Sequence, residues 1–409
     1  MASTRIPLYR VKGTHYECAH TIGTITREKI HHRIAEDFAS LSALFAFIQT
    51  EYGLQLHRNF IETIRLLYPW YWDEICGLAD GSEVPLEQIL VLNFLNETQT
   101  AYKLLEEKQR LNSTNDKSIN ETGAKGCTTV LLNRKDTNTF SLLHNEDHAA
   151  ALYLSAYLVE ADIQSSEYDN GTRQSPNEKF IAYCYAGSIP GNAFGANKYS
   201  FAFAMNGLYP NYVGHCRLPR QIVNRALFAV RNEKDLDNLL RISPVAFGFC
   251  INGAFYRQQN YLLNYEIGPN LKTDNDNYIS KCLIINNDQK IDQRNDECET
   301  ALNYLVHYNH YERLNKVIIE QKSLQSTHSR WRRGQEFGEL FTINDAINLL
   351  GDNENESFPI FRNSSKIDDT LTLCTVHFNF NTSQLLIYQH NPKYNNQPSF
   401  IYNLTDLFN

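Results

Sequence analysis

Gly126-Cys127-Thr128-Thr129 is where reactive chemistry concentrates in this chain. A cysteine is the strongest side-chain nucleophile near neutrality, a few per cent thiolate even when unperturbed, but it needs a base. If the Gly126–Cys127 bond were cut, the freed α-amine of Cys127 would supply one. Its reference pKa of about 7.7–8.0 leaves a usable neutral fraction at pH 7, unlike lysine at about 10.4. The preceding glycine has no Cβ and tolerates the strained backbone that a thiol attacking its carbonyl requires. Spacing alone permits this arrangement without singling it out, since a buried cysteine in a strand reads the same way.

Competing constellations are weaker. His144-x-Glu146-x-His148 offers imidazoles and a carboxylate, but zinc peptidases space H-E-x-x-H on a helix and this segment reads as a strand end; no metal is expected. His307 and His310 lack a third ligand. Gly187 to Gly191 has the wrong spacing for a nucleophile elbow, and neither a phosphate loop nor a dinucleotide fingerprint is present. No cofactor is expected. The basic run Arg330 to Arg333 reads as a helix face or as partners for carboxylates. The 24 tyrosines and 22 phenylalanines are material for a core and pocket walls.

The elements that must position these residues fall into blocks. Apolar residues at three- and four-residue steps predict helices over 26–50, 59–77 and 85–105. Residues 106–125 have almost nothing to bury and read as a solvated connector. The texture then changes to strand: 127–133 and 139–144 flank a turn at 134–138, followed by 151–160, 180–186 and 200–205. Helices at 219–230 and 233–242, strands at 246–258, 261–267 and 283–285, a helix over 330–350 and a hairpin of 370–380 with 384–388 complete the chain. Clustered strands and clustered helices predict an α+β layered fold rather than alternating βαβ units.

Composition excludes several functions. The 409 residues allow one to three domains, and a 42% apolar content supplies a large core. A net charge of −8 without a basic block leaves no footprint for nucleic acid or an anionic membrane. No apolar run approaches the roughly 18–20 residues of a membrane span, and the first residues lack a signal-like apolar region. Nine scattered cysteines, with no C-x-x-C pair, argue against disulfides and structural zinc. A cytoplasmic protein is expected.

Several motifs lie along nearly the whole chain: Glu74-Ile-Cys-Gly-Leu-Ala-Asp-Gly81, Leu92-Asn-Phe-Leu-Asn-Glu97, Lys125-Gly-Cys-Thr-Thr129, His144-Asn-Glu-Asp147, Tyr185-Ala-Gly187, Pro219-Arg220, Asn224-Arg-Ala-Leu227, Asn264-Tyr-Glu266, His307-Tyr-Asn309 and Ser326-Thr-His-Ser-Arg330. Through them the sequence resembles the self-processing N-terminal-nucleophile hydrolases of the isopenicillin N acyltransferase (peptidase C45) type, and most of all the members that hydrolyse β-alanyl conjugates of biogenic amines. That resemblance implies an α+β, four-layer αββα sandwich in one integrated fold. Autocleavage between Gly126 and Cys127 would give a helical small subunit, 1–126, that stays associated with a catalytic large subunit, 127–409. It further implies Cys127 as nucleophile, Asp147 supporting its amine and the oxyanion site, Asn309 as oxyanion donor and Thr129 as a positioning residue. The substrate would be a small-molecule amide, with no cofactor or metal, and a homo-oligomer remains open. The family's anion-fixing Ser-Arg pair falls on Asp368-Asp369 and another family serine on Gly268, which argues against an antibiotic substrate. Asp368, Asp369 or Glu146 would instead suit a cationic amine. An acyl-CoA-dependent N-acyltransferase and an unprocessed, non-catalytic relative are the alternatives.

Overall fold

The computed structural model describes residues 6–111, 126–273, 276–286, 298–321, 324–363 and 370–408; most of the expected connector, together with Asp368 and Asp369, lies outside them. Helices fill most of the N-terminal part: His15–Glu36, Phe38–Phe47, Glu51–Leu67, Pro69–Ser82, Leu86–Asn93 and Leu95–Leu111. Thr14 and Glu17 close a capping box at the first, each side chain bonding the other's backbone N–H. Hydrophobic period located these helices but not their breaks. The stretch over 59–77 divides at Pro69, which lacks an N–H and opens a new helix at its first position. The stretch over 85–105 breaks at Phe94, beside Asn93, whose amide bridges the Ile89 carbonyl at 2.8 Å to that of Gly187 at 3.0 Å. The helix expected over 330–350 is two, Gln325–Phe337 and Ile343–Leu350, because Gly338 turns into the left-handed region at φ 70°.

Two large sheets follow. One runs in the order Leu8–Gly13, Ala156–Ile163, Glu178–Tyr185, Phe194–Asn197, Phe201–Gly207, Phe249–Phe255, Leu262–Pro269, Asn277–Ile285, Cys298–Leu302. The other runs Tyr304–His307, Thr128–Arg134, Thr139–Ala149, Thr370–Asn379, Gln384–Tyr388, Phe400–Asn403. Residues 6–111 are therefore not all helix: Leu8–Gly13 pairs in parallel with Ala156–Ile163 and ties this part of the chain into the larger sheet. The strand expected over 151–160 starts only at Ala156, because Ala150–Leu152 form a 3-10 turn. An apolar run without a clear period does not separate the two.

Three apolar clusters define the layers. Phe180, Ala182 and Cys184 face the N-terminal helices, packing with Ile22, Ile75 and Leu92, while Ile181, Tyr183 and Tyr185 on the same strand face the second sheet with Leu142, Val376 and Ile387. The outer face of the second sheet, Val130, Leu132 and Leu143, is covered by Leu340, Ala346, Leu349 and Leu350. The order is helix, sheet, sheet, helix. The strands bury both faces, which is why they read as continuous apolar runs rather than alternating ones.

Register then assembles the site. Thr129 sits opposite His307 on one side and His144 on the other, and Asp147 lies opposite Thr372. The start of one strand and the ends of two others thus bring residues 127, 144–147 and 307–309 to one end of the sheet.

Candidate active site

Cys127 precedes the first residue of its strand and is 7% exposed. Its backbone N–H donates to Asn309 Oδ1 at 2.8 Å. The Arg330 guanidinium donates to the Cys127 carbonyl at 2.9 Å, to Thr128 Oγ1 at 2.8 Å and to Asn309 Oδ1 at 2.8 Å. With two donors aimed at it, the Asn309 oxygen is fixed, and its Nδ2 donates to the Gly207 carbonyl at 3.0 Å. Gly126 lies in the same embrace: a Cβ there would stand 2.4 Å from Arg330 and 2.4 Å from Asn309 Oδ1. Any larger residue here would have to push those two side chains out of place.

A second network runs inward from the thiol. Asn252 Nδ2 donates to the carbonyl of Ala204 at 3.3 Å and to Asn206 Oδ1 at 2.7 Å. Thr129 Oγ1 therefore donates to Asn206 Oδ1, at 2.7 Å, and accepts from His144 Nδ1 at 2.7 Å. This fixes the tautomer of His144: Nδ1 carries a proton, and Nε2 meets Glu146 Oε2 at 3.0 Å. Tyr185 donates to the other oxygen of Glu146. The Cys127 sulfur, a ring nitrogen of His144 and a carboxylate oxygen of Glu146 all lie within 4.8 Å of one another. The hydrogen bond between Nε2 and Oε2 holds one proton, so these groups lie where a proton can pass between them.

Electrostatics reinforce that reading. Burial pushes the Cys127 thiol well above its ordinary range and Glu146 and Asp147 add to this, against the Asp147 backbone N–H and Arg330. Burial also pushes the Asp147 carboxyl up to about 7, although Arg362, Arg330 and Thr372 pull the other way. Asp147 Oδ1 accepts from Thr372 at 2.7 Å, and Oδ2 lies 3.4 Å from Arg362. A cleft with about 40 Å³ of free space, lined by Gly126, Cys127, Glu146 and Asp147 and on its far side by Arg33, Tyr209 and Arg220, opens onto the thiol. That is room for about one water.

Cys127, Thr129, Glu146, Asp147 and Asn309 thus converge, while Asp368 and Asp369 fall outside the described residues. The orientations add detail the sequence did not contain. Asn309 presents its oxygen to Cys127, and turning it into an oxyanion donor would set its NH₂ against the Arg330 guanidinium. The Asp147 carboxylate faces Thr372 and Arg362 rather than the Cys127 nitrogen. At Gly268 a Cβ would lie 2.3 Å from Ile318 Cδ1 and 2.7 Å from the Tyr311 hydroxyl, so any larger residue there would have to displace those side chains. Arg330, Arg362, His144 and Asn206 escaped sequence reasoning. Arg330 and His144 lie inside the sequence motifs, but a count of charges does not show that Arg330 is buried against Cys127 while Arg333, one turn on, is half-buried and pairs with the buried Asp352 and the exposed Glu354.

A four-layer αββα fold with a cysteine just before an inner strand and beside a cleft is consistent with the N-terminal-nucleophile class of acyl-transfer architecture. Residues 132–394 match the acyl-coenzyme A:6-aminopenicillanic acid acyl-transferase family, and the chain belongs to it. It is also similar to the beta-alanyl-dopamine/carcinine hydrolase of Drosophila melanogaster, 23% identical over 393 residues that cover 95% of this chain and 93% of that protein.

Proposed function

We propose that this protein is a self-processing amidohydrolase that releases biogenic amines from β-alanyl or similar small N-acyl conjugates. The observation that carries the reading is the grip on Cys127: its nitrogen is anchored on Asn309 Oδ1 at 2.8 Å while its thiol borders the cleft with Glu146 and Asp147. Cleavage at Gly126 turns that nitrogen into an amine. Its N–H stays on Asn309, and its lone pair takes the thiol proton as sulfur attacks the substrate carbonyl. The amine leaving group receives the proton as the C–N bond breaks, leaving a thioester. Water, activated by the same amine, then frees the acid and regenerates the thiol. Glu146 suits the ammonium of a β-alanyl group, and the hydrolase name of the Drosophila relative favours water over an acyl-accepting amine. A conjugate of this size requires the side chains lining the cleft to part. A cytoplasmic location and lasting association of residues 1–126 with 127–409 complete the proposal.

Purified chain incubated with β-alanyl-dopamine or β-alanyl-histamine is expected to release free amine and β-alanine, and C127A to release none. Formation of an amide from acyl-CoA plus amine, with no hydrolysis of either conjugate, would replace the reading with N-acyl transfer.

A further inference from the structure

Self-cleavage poses a problem that turnover does not. Before the Gly126–Cys127 bond is cut, the Cys127 nitrogen is an amide with no lone pair to accept a proton, and its N–H points at Asn309. Burial and two carboxylates disfavour a resting thiolate. Another base is needed for the first event in the life of the chain. Asp147 is turned away, with its oxygens on Thr372 and towards Arg362. Arg330 donates to neutral oxygens and accepts nothing. Among the described residues, the His144–Glu146 couple brings a ring nitrogen and a carboxylate oxygen within 4.8 Å of the sulfur, whereas His148, which also lines the cleft, spends its Nδ1 on the Ala149 N–H at 2.8 Å. The couple is wholly buried, braced by Thr129, Asn206 and Tyr185, and holds one proton between Nε2 and Oε2.

We propose that His144, reached through Glu146, is the proton acceptor for self-cleavage and that this role is separate from turnover, where the freed amine takes over. The inference rests on the self-processing reading above. The thiol proton passes to Glu146, directly or through a single water in the cleft, as the shared proton settles on His144 Nε2. The result is a thiolate beside an imidazolium, with no net change of charge. The sulfur electron pair bonds to the Gly126 carbonyl carbon, the Gly126–Cys127 C–N bond breaks, and the nitrogen takes up the proton that His144 returns. A thioester and a free amine remain. Water hydrolyses the thioester to the Gly126 carboxylate and the Cys127 thiol. Thr129, a positioning residue in this scheme, holds the tautomer that leaves Nε2 toward Glu146.

The test uses full-length chains of two kinds: the natural junction, and one in which the residues just before Cys127 form a site for an added protease whose cut leaves Cys127 first. With the natural junction, H144Q is expected to self-cleave at least about a hundredfold more slowly, within the range for loss of general base catalysis. Opened by the protease, H144Q is expected to lose a far smaller factor in amide hydrolysis, relative to the opened parent, than it loses in self-cleavage. Added imidazole is expected to restore cleavage to H144G, a rescue that a purely structural role would not produce. Self-cleavage of H144Q at the parental rate overturns the proposal, as does an opened H144Q as inactive as C127A. A parent that self-cleaves in a His144-dependent way but hydrolyses no amide supports the inference and removes the substrate reading instead.

Discussion

Arg225 and Arg330 are both fully buried, yet their surroundings are opposite. Arg225 lies between the N-terminal helices and the larger sheet, with Glu74 at 2.9 and 3.0 Å, Glu178 at 2.6 Å and the rings of Tyr71 and Phe180 each 4.8 Å away. Burial works against its charge, but Glu178 and Glu74 outweigh burial and strengthen it. Burial pushes the Glu178 carboxyl up, and Arg225 and His15 overcome this to hold it at about 2. Arg330, at Cys127, donates to a carbonyl, a hydroxyl and an amide oxygen, all neutral. Burial, with Arg362 alongside, brings its pKa down to about 10 against the weaker pull of Asp147. The first arginine is matched by carboxylates and fastens helix Pro69–Ser82 to the strands. The second sits in an unmatched environment that costs stability, the kind of cost that the proposed active site would carry.

The contrast can be broken by exchanging the charges for hydrocarbon. R225M leaves Glu74 and Glu178 buried without their cation, and unfolding in urea is expected to show a loss of about 3–5 kcal/mol. R330M is expected to change stability by less than about 1 kcal/mol while slowing self-cleavage about a hundredfold, because Cys127 and Asn309 lose their alignment. Equal stability losses in the two variants would erase the distinction.

Smaller effects sharpen it. G126A places a methyl group against Arg330 and Asn309 and is expected to slow self-cleavage about tenfold, read by the rate at which two fragments appear, with little effect on the unfolding midpoint. The two regions also respond oppositely to pH. Asp147, raised to about 7, keeps its proton in the native state while the unfolded chain releases it above about pH 4; its contribution is present below pH 4 and is lost as pH rises towards 7. Glu178, held at about 2, contributes above about pH 4.5 and loses that contribution as pH falls towards 2. D147N is expected to flatten the decline in stability between pH 4 and 7, by about 1 kcal/mol or more, and to leave the acid limb intact. An unchanged decline would show that Asp147 does not titrate there.

Much of this was legible in the sequence. The change from helix to strand near residue 127 is compositional, and the Gly-Cys-Thr-Thr, Asn-x-Asp and His-x-Asn motifs located three of the groups that meet at the site. What escaped has physical causes. The strands Leu8–Gly13 and Tyr304–His307 are edge strands of six and four residues, too short to show a period. The breaks at Phe94 and Gly338 go with a tertiary bond of Asn93 and with a positive φ, neither of which a periodic pattern registers. Whether Asn309 shows Cys127 its oxygen or its nitrogen is decided by Arg330, some twenty residues along, so residue types alone could not assign its role.

The central claim is that Cys127 begins a chain. Denaturing mass measurement of the purified full-length protein, beside C127A, tests it directly. Two fragments from the parent, divided between Gly126 and Cys127, and one intact chain from C127A are the predicted result. An intact parent that nonetheless hydrolyses the amide, or a C127A chain divided at the same bond, would contradict the account.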